Sequence, residues 1–88
     1  MKMVVAIIPD TDHENVSEQL ISNGFRVTTI ASTGGFLRYG TTTMMIGVED
    51  EQVERAIEIV KESCAPSPSP GLKRGSLFVL DVERYEKM

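Results

Sequence analysis

Residues 32–43 concentrate the chemistry of this chain: Ser32-Thr33-Gly34-Gly35-Phe36-Leu37-Arg38-Tyr39-Gly40-Thr41-Thr42-Thr43. Strand-forming residues flank the run on both sides, so it reads as a connection between two strands. Ordinary connections are polar. This one carries three glycines together with Phe36, Leu37 and Tyr39. Glycine lets backbone N–H and C=O groups approach a partner closely. Exposed apolar side chains beside such a backbone call for a cover. Small polar groups, bare backbone, an aromatic ring and an arginine together suit a flat heterocycle joined to phosphate.

Arg26 and Arg38 are the phosphate candidates, because a guanidinium presents two parallel donors to phosphate oxygens. The plainer reading makes them a strand arginine and a loop arginine on the surface. Phe36 offers a face for a purine, a contact worth about 1–3 kcal/mol per base in nucleic-acid binders. It serves equally as an anchor against a neighbouring subunit. Leu37 supplies apolar wall in either case. Thr28 and Thr41 are small donor–acceptors, although threonine in a strand needs no functional reason. Phe78 reads most simply as core. Lys73 and Arg74 form a basic pair within a loop. Gly35-x-x-x-x-Gly40-Thr41-Thr42 has the outline of an NTP phosphate loop, but it lacks the lysine that contacts the phosphates. It also leads into a strand, so no helix N-terminus backs it. His13 has no Cys or second His nearby, which argues against a metal site. No Ser-His-Asp set, carboxylate dyad or activated cysteine is visible, so the chain does not read as an enzyme.

At 88 residues the chain suits one small domain. A chain of this size buries only about 60% of its unfolded surface, and oligomerisation is a common remedy. The hydrophobic fraction of 41% and charged fraction of 25% are those of a soluble globular protein. No apolar run approaches the ~20 residues needed to span a bilayer. The short run Met3 to Ile8 suits a strand better than a signal peptide. With Cys64 as the single cysteine, the expected location is the cytoplasm, with no membrane partner. A formal charge of −4 argues against nucleic acid as a partner. Its distribution is uneven. Residues 24–47 contain no Asp or Glu, whereas residues 49–62 carry six acids. The loop region is therefore locally basic, and the acids fall on one helix, where they also suit a solvated face.

The elements that position these residues follow from periodicity. Met3-Val4-Val5-Ala6-Ile7-Ile8 predicts a central strand buried on both faces. Asp12 is the expected cap of a helix to about Asn23, with Val16, Leu20 and Ile21 on its apolar face. Gly24 is placed to end it in a left-handed conformation, with Phe25 packing back on Leu20. Residues 26–31 predict a second strand and residues 42–48 a third. Asp50 is the expected cap of a second helix, whose Val53, Ala56, Ile57 and Val60 form an amphipathic stripe. Glu51 and Arg55 are spaced as an i, i+4 pair. Cys64 reads as a small core or boundary residue. The alternating prolines of residues 65–71 exclude helix and central strand, so a Pro/Ser loop spans roughly 65–75. Residues 76–82 predict the last strand and 83–88 a tail. The order β-α-β-β-α-β is the α+β, ferredoxin-like arrangement: a four-stranded antiparallel sheet with two helices on one face.

The run Ala31-Ser-Thr-Gly-Gly-Phe-Leu-Arg38, followed by Gly40-x-Thr42-Thr43 and Ile46-Gly47-Val48, resembles the PII-like cyclic-di-AMP receptor family. Similarity extends to Asn23-Gly-Phe-Arg26, to Gly47-Val-x-Asp50-x-x-Val53 and to Phe78-Val79-Leu80-x-Val82. The resemblance covers residues 1 to about 64 and 75 to 86. It implies a homotrimeric, bacterial signal-transduction protein that binds cyclic-di-AMP in clefts between subunits and relays the signal to an unidentified protein by loop rearrangement. It implies a ligand but no cofactor. In those terms Arg26 and Thr28 line the cleft. Gly35, Phe36 and Leu37 wrap one adenine, Thr41 contributes a polar contact, Gly47 offers backbone, and Phe78 closes the pocket. The family usually has asparagine where this chain has Thr41, and a longer loop after the second helix. A hydroxyl reaches less far than an amide and offers fewer hydrogen bonds.

Other readings stand beside this one, the first of them motivated by Thr41 and the short loop. One is a PII-like trimer for another adenine nucleotide, ATP or ADP. Another is a protein-interaction module in which Phe36, Leu37 and Tyr39 dock a partner without a small molecule. An acylphosphatase-like enzyme on the same fold would need a phosphate-binding loop after the first strand, where this chain has Pro9-Asp10-Thr11-Asp12.

Overall fold

The computed structural model describes residues 1–32, 40–64, 75–86 and 88, with the backbone alone at Ala31 and Ser32. The glycine connection at 33–39 and the Pro/Ser connection at 65–74 lie outside the described residues. The elements are β1 (Lys2–Pro9), α1 (Asp10–Ser22), β2 (Arg26–Ser32), β3 (Thr41–Val48), a 3-10 turn (Asp50–Gln52), α2 (Val53–Ser63) and β4 (Ser76–Asp81). The four strands form one sheet in the order β2-β3-β1-β4, and each neighbouring pair is antiparallel. This is the expected α+β architecture, compatible with a ferredoxin-like fold.

β1 shows how the sheet is sided. Its burial alternates, with Val4, Ala6 and Ile8 at 2% exposure or less and Met3, Val5 and Ile7 half-buried between them. The expectation of a strand buried on both faces is therefore corrected for this chain. Both helices cover the first set, whose core also takes in Val16, Leu20, Ala56, Ile59 and Val60. Fully burying each valine, leucine or isoleucine among them is worth about 1.5–3 kcal/mol. The opposite face of the sheet is open.

α1 starts directly after Pro9, with no side-chain cap. Asp12 is not its cap; it lies inside the first turn and is 6% exposed. Asp10 and Asp12 still place negative charge where the helix dipole favours it. The other end is as expected. Gly24 has φ +87°. The Phe25 N–H donates to the Leu20 carbonyl and the Gly24 N–H to the Ile21 carbonyl, each at 3.0 Å. These are the paired bonds of a Schellman motif, and Phe25 and Leu20 join the core. Ile21 does not: it is 60% exposed, one step around the helix from the buried row.

Glu49, not Asp50, begins the second helical segment. Its N–H lies 3.4 Å from Gln52 Oε1 in a capping box. Asp50 instead lies 3.5 Å from the Met1 amino group. Along α2 the buried residues are Ala56, Ile59 and Val60, with Val53 and Cys64 packed beside them. The stripe thus includes Ile59, while Ile57 is only half-buried. Arg55 pairs with Glu58 at 3.3 Å and reaches Asn23 Oδ1 at 3.5 Å. The expected Glu51 pairing is replaced by a contact that also ties α2 to the end of α1. Among the described residues no helix is long and apolar enough to cross a membrane.

Candidate functional site

The sheet register assigns the candidate residues to the open face. Arg26 pairs with Gly47, and Thr28 pairs with Met45. Across β1, Gly47 faces Met3 and Met45 faces Val5. On β4, Leu80 faces Met3 and Phe78 faces Val5. Two rows result: Arg26–Gly47–Met3–Leu80, and beside it Thr28–Met45–Val5–Phe78. Since side chains alternate between faces along a strand, both rows stand on the side away from the helices.

Charge on this face is sparse. Its described positions are Met3, Val5, Ile7 and Pro9 of β1, Thr41, Thr43, Met45 and Gly47 of β3, Arg26 and Thr28 of β2, and Ser76, Phe78 and Leu80 of β4. Arg26 is the one charged residue among them, and none is a carboxylate. Among the described residues no acid pairs with Arg26. The surplus of acids stands on the helices instead, on the other side of the molecule. A guanidinium with no carboxylate beside it among the described residues of the face favours an anion.

Gly47 gives Arg26 room. A Cβ built there would meet nothing closer than the Met1 Cε, at 3.4 Å. Phe78 is 52% exposed and Leu80 52% exposed. The plain core reading of Phe78 is therefore overturned: β4 is an edge strand, and no helix covers its outward face. Phe78, Val79 and Leu80 together leave an apolar edge uncovered in the single chain, an arrangement that folded proteins ordinarily protect.

The other end of the sheet carries the glycine connection. β2 ends at Ser32 and β3 begins at Thr41, opposite Pro9. Gly35, Phe36, Leu37, Arg38 and Tyr39 lie outside the described residues, as do Lys73 and Arg74. Gly40 is buried, and its carbonyl accepts from the Asp10 N–H at 3.0 Å. Thr42, 1% exposed, donates its hydroxyl to the Asp10 carboxylate. Thr41, between them, is exposed. Gly75 leads into β4 at the same end, packed against the Ile7 carbonyl.

The candidate residues therefore occupy three levels of one face. Thr41 stands at the loop end, Thr28 and Phe78 at the middle, and Arg26 and Gly47 at the far end. Positions 41 and 47 are separated by about 20 Å, from a rise of ~3.3 Å per strand residue. A single chain does not bring them together.

Sequence periodicity missed two features. Met3, Val5 and Met45 stand among the candidate side chains, and only the strand order reveals it. β2 also carries an irregularity between Thr29 and Ala31, with Ile30 54% exposed. The extra residue shifts the alternation by one before the chain enters the glycine connection. His13 Nε2 lies 3.0 Å from Thr29 Oγ1 and links α1 to β2. Among the described residues no cluster of three His, Cys, Asp or Glu side chains could hold a metal ion.

A family model described as "Cyclic-di-AMP receptor" matches residues 1–68. Among solved structures, a functionally unknown protein from Pediococcus pentosaceus is similar over 99% of this chain and 96% of its own, with 35% sequence identity and a TM-score of 0.76.

Proposed function

Since the chain belongs to the cyclic-di-AMP receptor family, we propose that three copies assemble through their open sheet faces and bind cyclic-di-AMP in the clefts between neighbours. The family relation supports a signalling protein that binds this ligand and performs no catalysis. The finer reading rests on the open face, with its single guanidinium, no carboxylate among the described residues, and an exposed apolar edge on β4. That pattern suits burial against another copy with an anion held at the seam.

The separation of the candidate residues supports the same assembly. The Arg26 end of one chain meets the Thr41 end only if a second chain lies alongside. In that cleft Arg26 binds phosphate, and Thr28 and Thr41 hydrogen-bond the nucleotide. Gly47 leaves space above the sheet, and Phe78 closes the apolar side. Gly35, Phe36 and Leu37 enclose an adenine. The ligand acts by favouring one arrangement of the glycine connection, and it does so only through its differential affinity for the two arrangements. The readout is a surface recognised by a downstream protein in the cytoplasm.

Calorimetry on the purified protein, with its mass measured by light scattering, tests the proposal. The expected result is a trimer with saturable heat at micromolar cyclic-di-AMP. A monomer without such heat overturns it. Thr41 favours one second reading, an ATP or ADP site on the same trimer, because it departs from the asparagine usual in the family. A thermal-shift panel separates the two. Stabilisation by ATP but not by the cyclic dinucleotide selects the second.

A further inference from the structure

We propose that Asp10 is a positioning residue for Thr41, setting where that hydroxyl stands at the loop end of the open face. The inference rests on the proposed function, because it concerns the same ligand contact. Antiparallel ladders alternate hydrogen-bonded and non-hydrogen-bonded pairs. The Asp10 N–H donates to the Gly40 carbonyl at 3.0 Å, which makes 10 and 40 a hydrogen-bonded pair. Pro9 and Thr41, the next pair along, are then non-hydrogen-bonded. The N–H and C=O of Thr41 consequently point away from β1.

Thr41 is thus held to β1 through its two neighbours, and each of them makes a bond to Asp10. Gly40 is fixed by the Asp10 backbone. Thr42 pairs with Ile8 across the ladder, and its hydroxyl bond to the Asp10 carboxylate adds a side-chain tie. Thr42 is 1% exposed, so this donor cannot turn to water instead. Asp10 is also the first residue of α1, so the strand, the helix and the start of β3 join at one residue. Loss of the Thr42 hydroxyl leaves the Asp10 carboxylate without that donor and removes the side-chain tie between the start of α1 and the start of β3.

The test uses Thr42→Val, which keeps the buried volume but not the hydroxyl, and Thr42→Ser, which keeps the hydroxyl. Amide hydrogen exchange is measured in the ligand-free protein, and cyclic-di-AMP affinity by calorimetry. In Thr42→Val, exchange is expected to quicken at 40–43 while β1 residues 4–8 keep their wild-type rates. The dissociation constant is expected to rise about tenfold, the size of one hydrogen bond. Thr42→Ser is expected to stay within about twofold of wild type. In the pair Asp10→Ala and Thr42→Val the double variant should bind no more weakly than the worse single one, as for residues acting through one contact. Unchanged affinity in Thr42→Val, or exchange quickened equally in β1, overturns the inference while leaving the proposed function standing. Wild-type protein that binds no cyclic-di-AMP overturns both.

Discussion

Arg26 stands directly across the β2–β3 ladder from Gly47. The one charged side chain described on the open face therefore lies beside the one residue of β3 that has no side chain. The pairing leaves a shallow space next to a guanidinium, bounded by the Met1 methyl. Arginine at this place can lie along the sheet and present both donors to a phosphate.

Filling that space should separate binding from folding. Gly47→Ala meets only the flexible end of Met1, so its melting temperature should stay within about 3 °C of wild type, as for a change near 0.5 kcal/mol in a domain of this size. Gly47→Leu projects further and should weaken cyclic-di-AMP binding at least tenfold. Circular dichroism and calorimetry on both variants check this, and unaltered affinity in Gly47→Leu removes Gly47 from the site.

Replacing Arg26 tests the phosphate contact. Arg26 is exposed, so Arg26→Ala should leave stability within about 0.5 kcal/mol of wild type. Affinity should fall about ten- to a hundredfold, the range of a charged hydrogen bond. Arg26→Lys keeps the charge but loses the two-donor geometry and should fall in between. Lysine that restores full affinity would mean that charge alone suffices.

The β4 edge tests assembly. Phe78→Ser with Leu80→Ser replaces two side chains that are each 52% exposed in the single chain. Neither belongs to the buried core, so the fold should survive. Light scattering should report a smaller species than wild type, and ligand binding should be lost with it. A double variant that keeps the wild-type mass would place the interface elsewhere.

Gly75 is the opposite case, a glycine that the backbone requires. A Cβ there would collide with the Ile7 carbonyl and approach Ile8 Cα to 3.3 Å. Both are main-chain atoms of a central strand and cannot move aside as a side chain does. Gly75→Ala should destabilise the protein by about 1–3 kcal/mol. Urea denaturation checks this, and a stability equal to wild type would contradict the packing of β4 on β1.

The Lys2–Asp81 pair gives a pH signature at the sheet's far end. A hydrogen bond from Lys2 and then its charge hold the Asp81 carboxyl below its ordinary 3.8. The same bond to Asp81 and then its charge hold Lys2 above 10.5. A depressed acid stabilises the fold fully above pH 3.8 and loses that contribution as pH falls through its folded value. A raised lysine stabilises it fully below pH 10.5 and loses it as pH rises through its own. Both groups are exposed, so the effect is small. Asp81→Asn should be less stable than wild type at pH 7, and the two curves should converge below pH 3.8. A constant gap down to pH 2 would exclude the ion pair as its cause.

Local chemistry settled much of this protein in advance. Gly24 ends α1 because only glycine enters that left-handed turn without strain, and the bonds from Phe25 and Gly24 follow from it. Short runs rich in apolar and β-branched residues marked each strand, and the mixed run at 32–43 marked part of the ligand candidates. Cap positions were less legible. Asp12 and Asp50 both have a capping residue's chemistry, yet Pro9 and Glu49 occupy those places, since a cap depends on where the chain enters the helix. Other features depended on distant partners. The strand order, not the sequence, turned Met3, Val5 and Met45 toward the same face as Arg26 and Thr28. It also put Phe78 at an uncovered edge. Residue type and spacing act over a few positions along the chain; register and strand order are fixed by hydrogen bonds between segments dozens of residues apart, and only the assembled sheet records them.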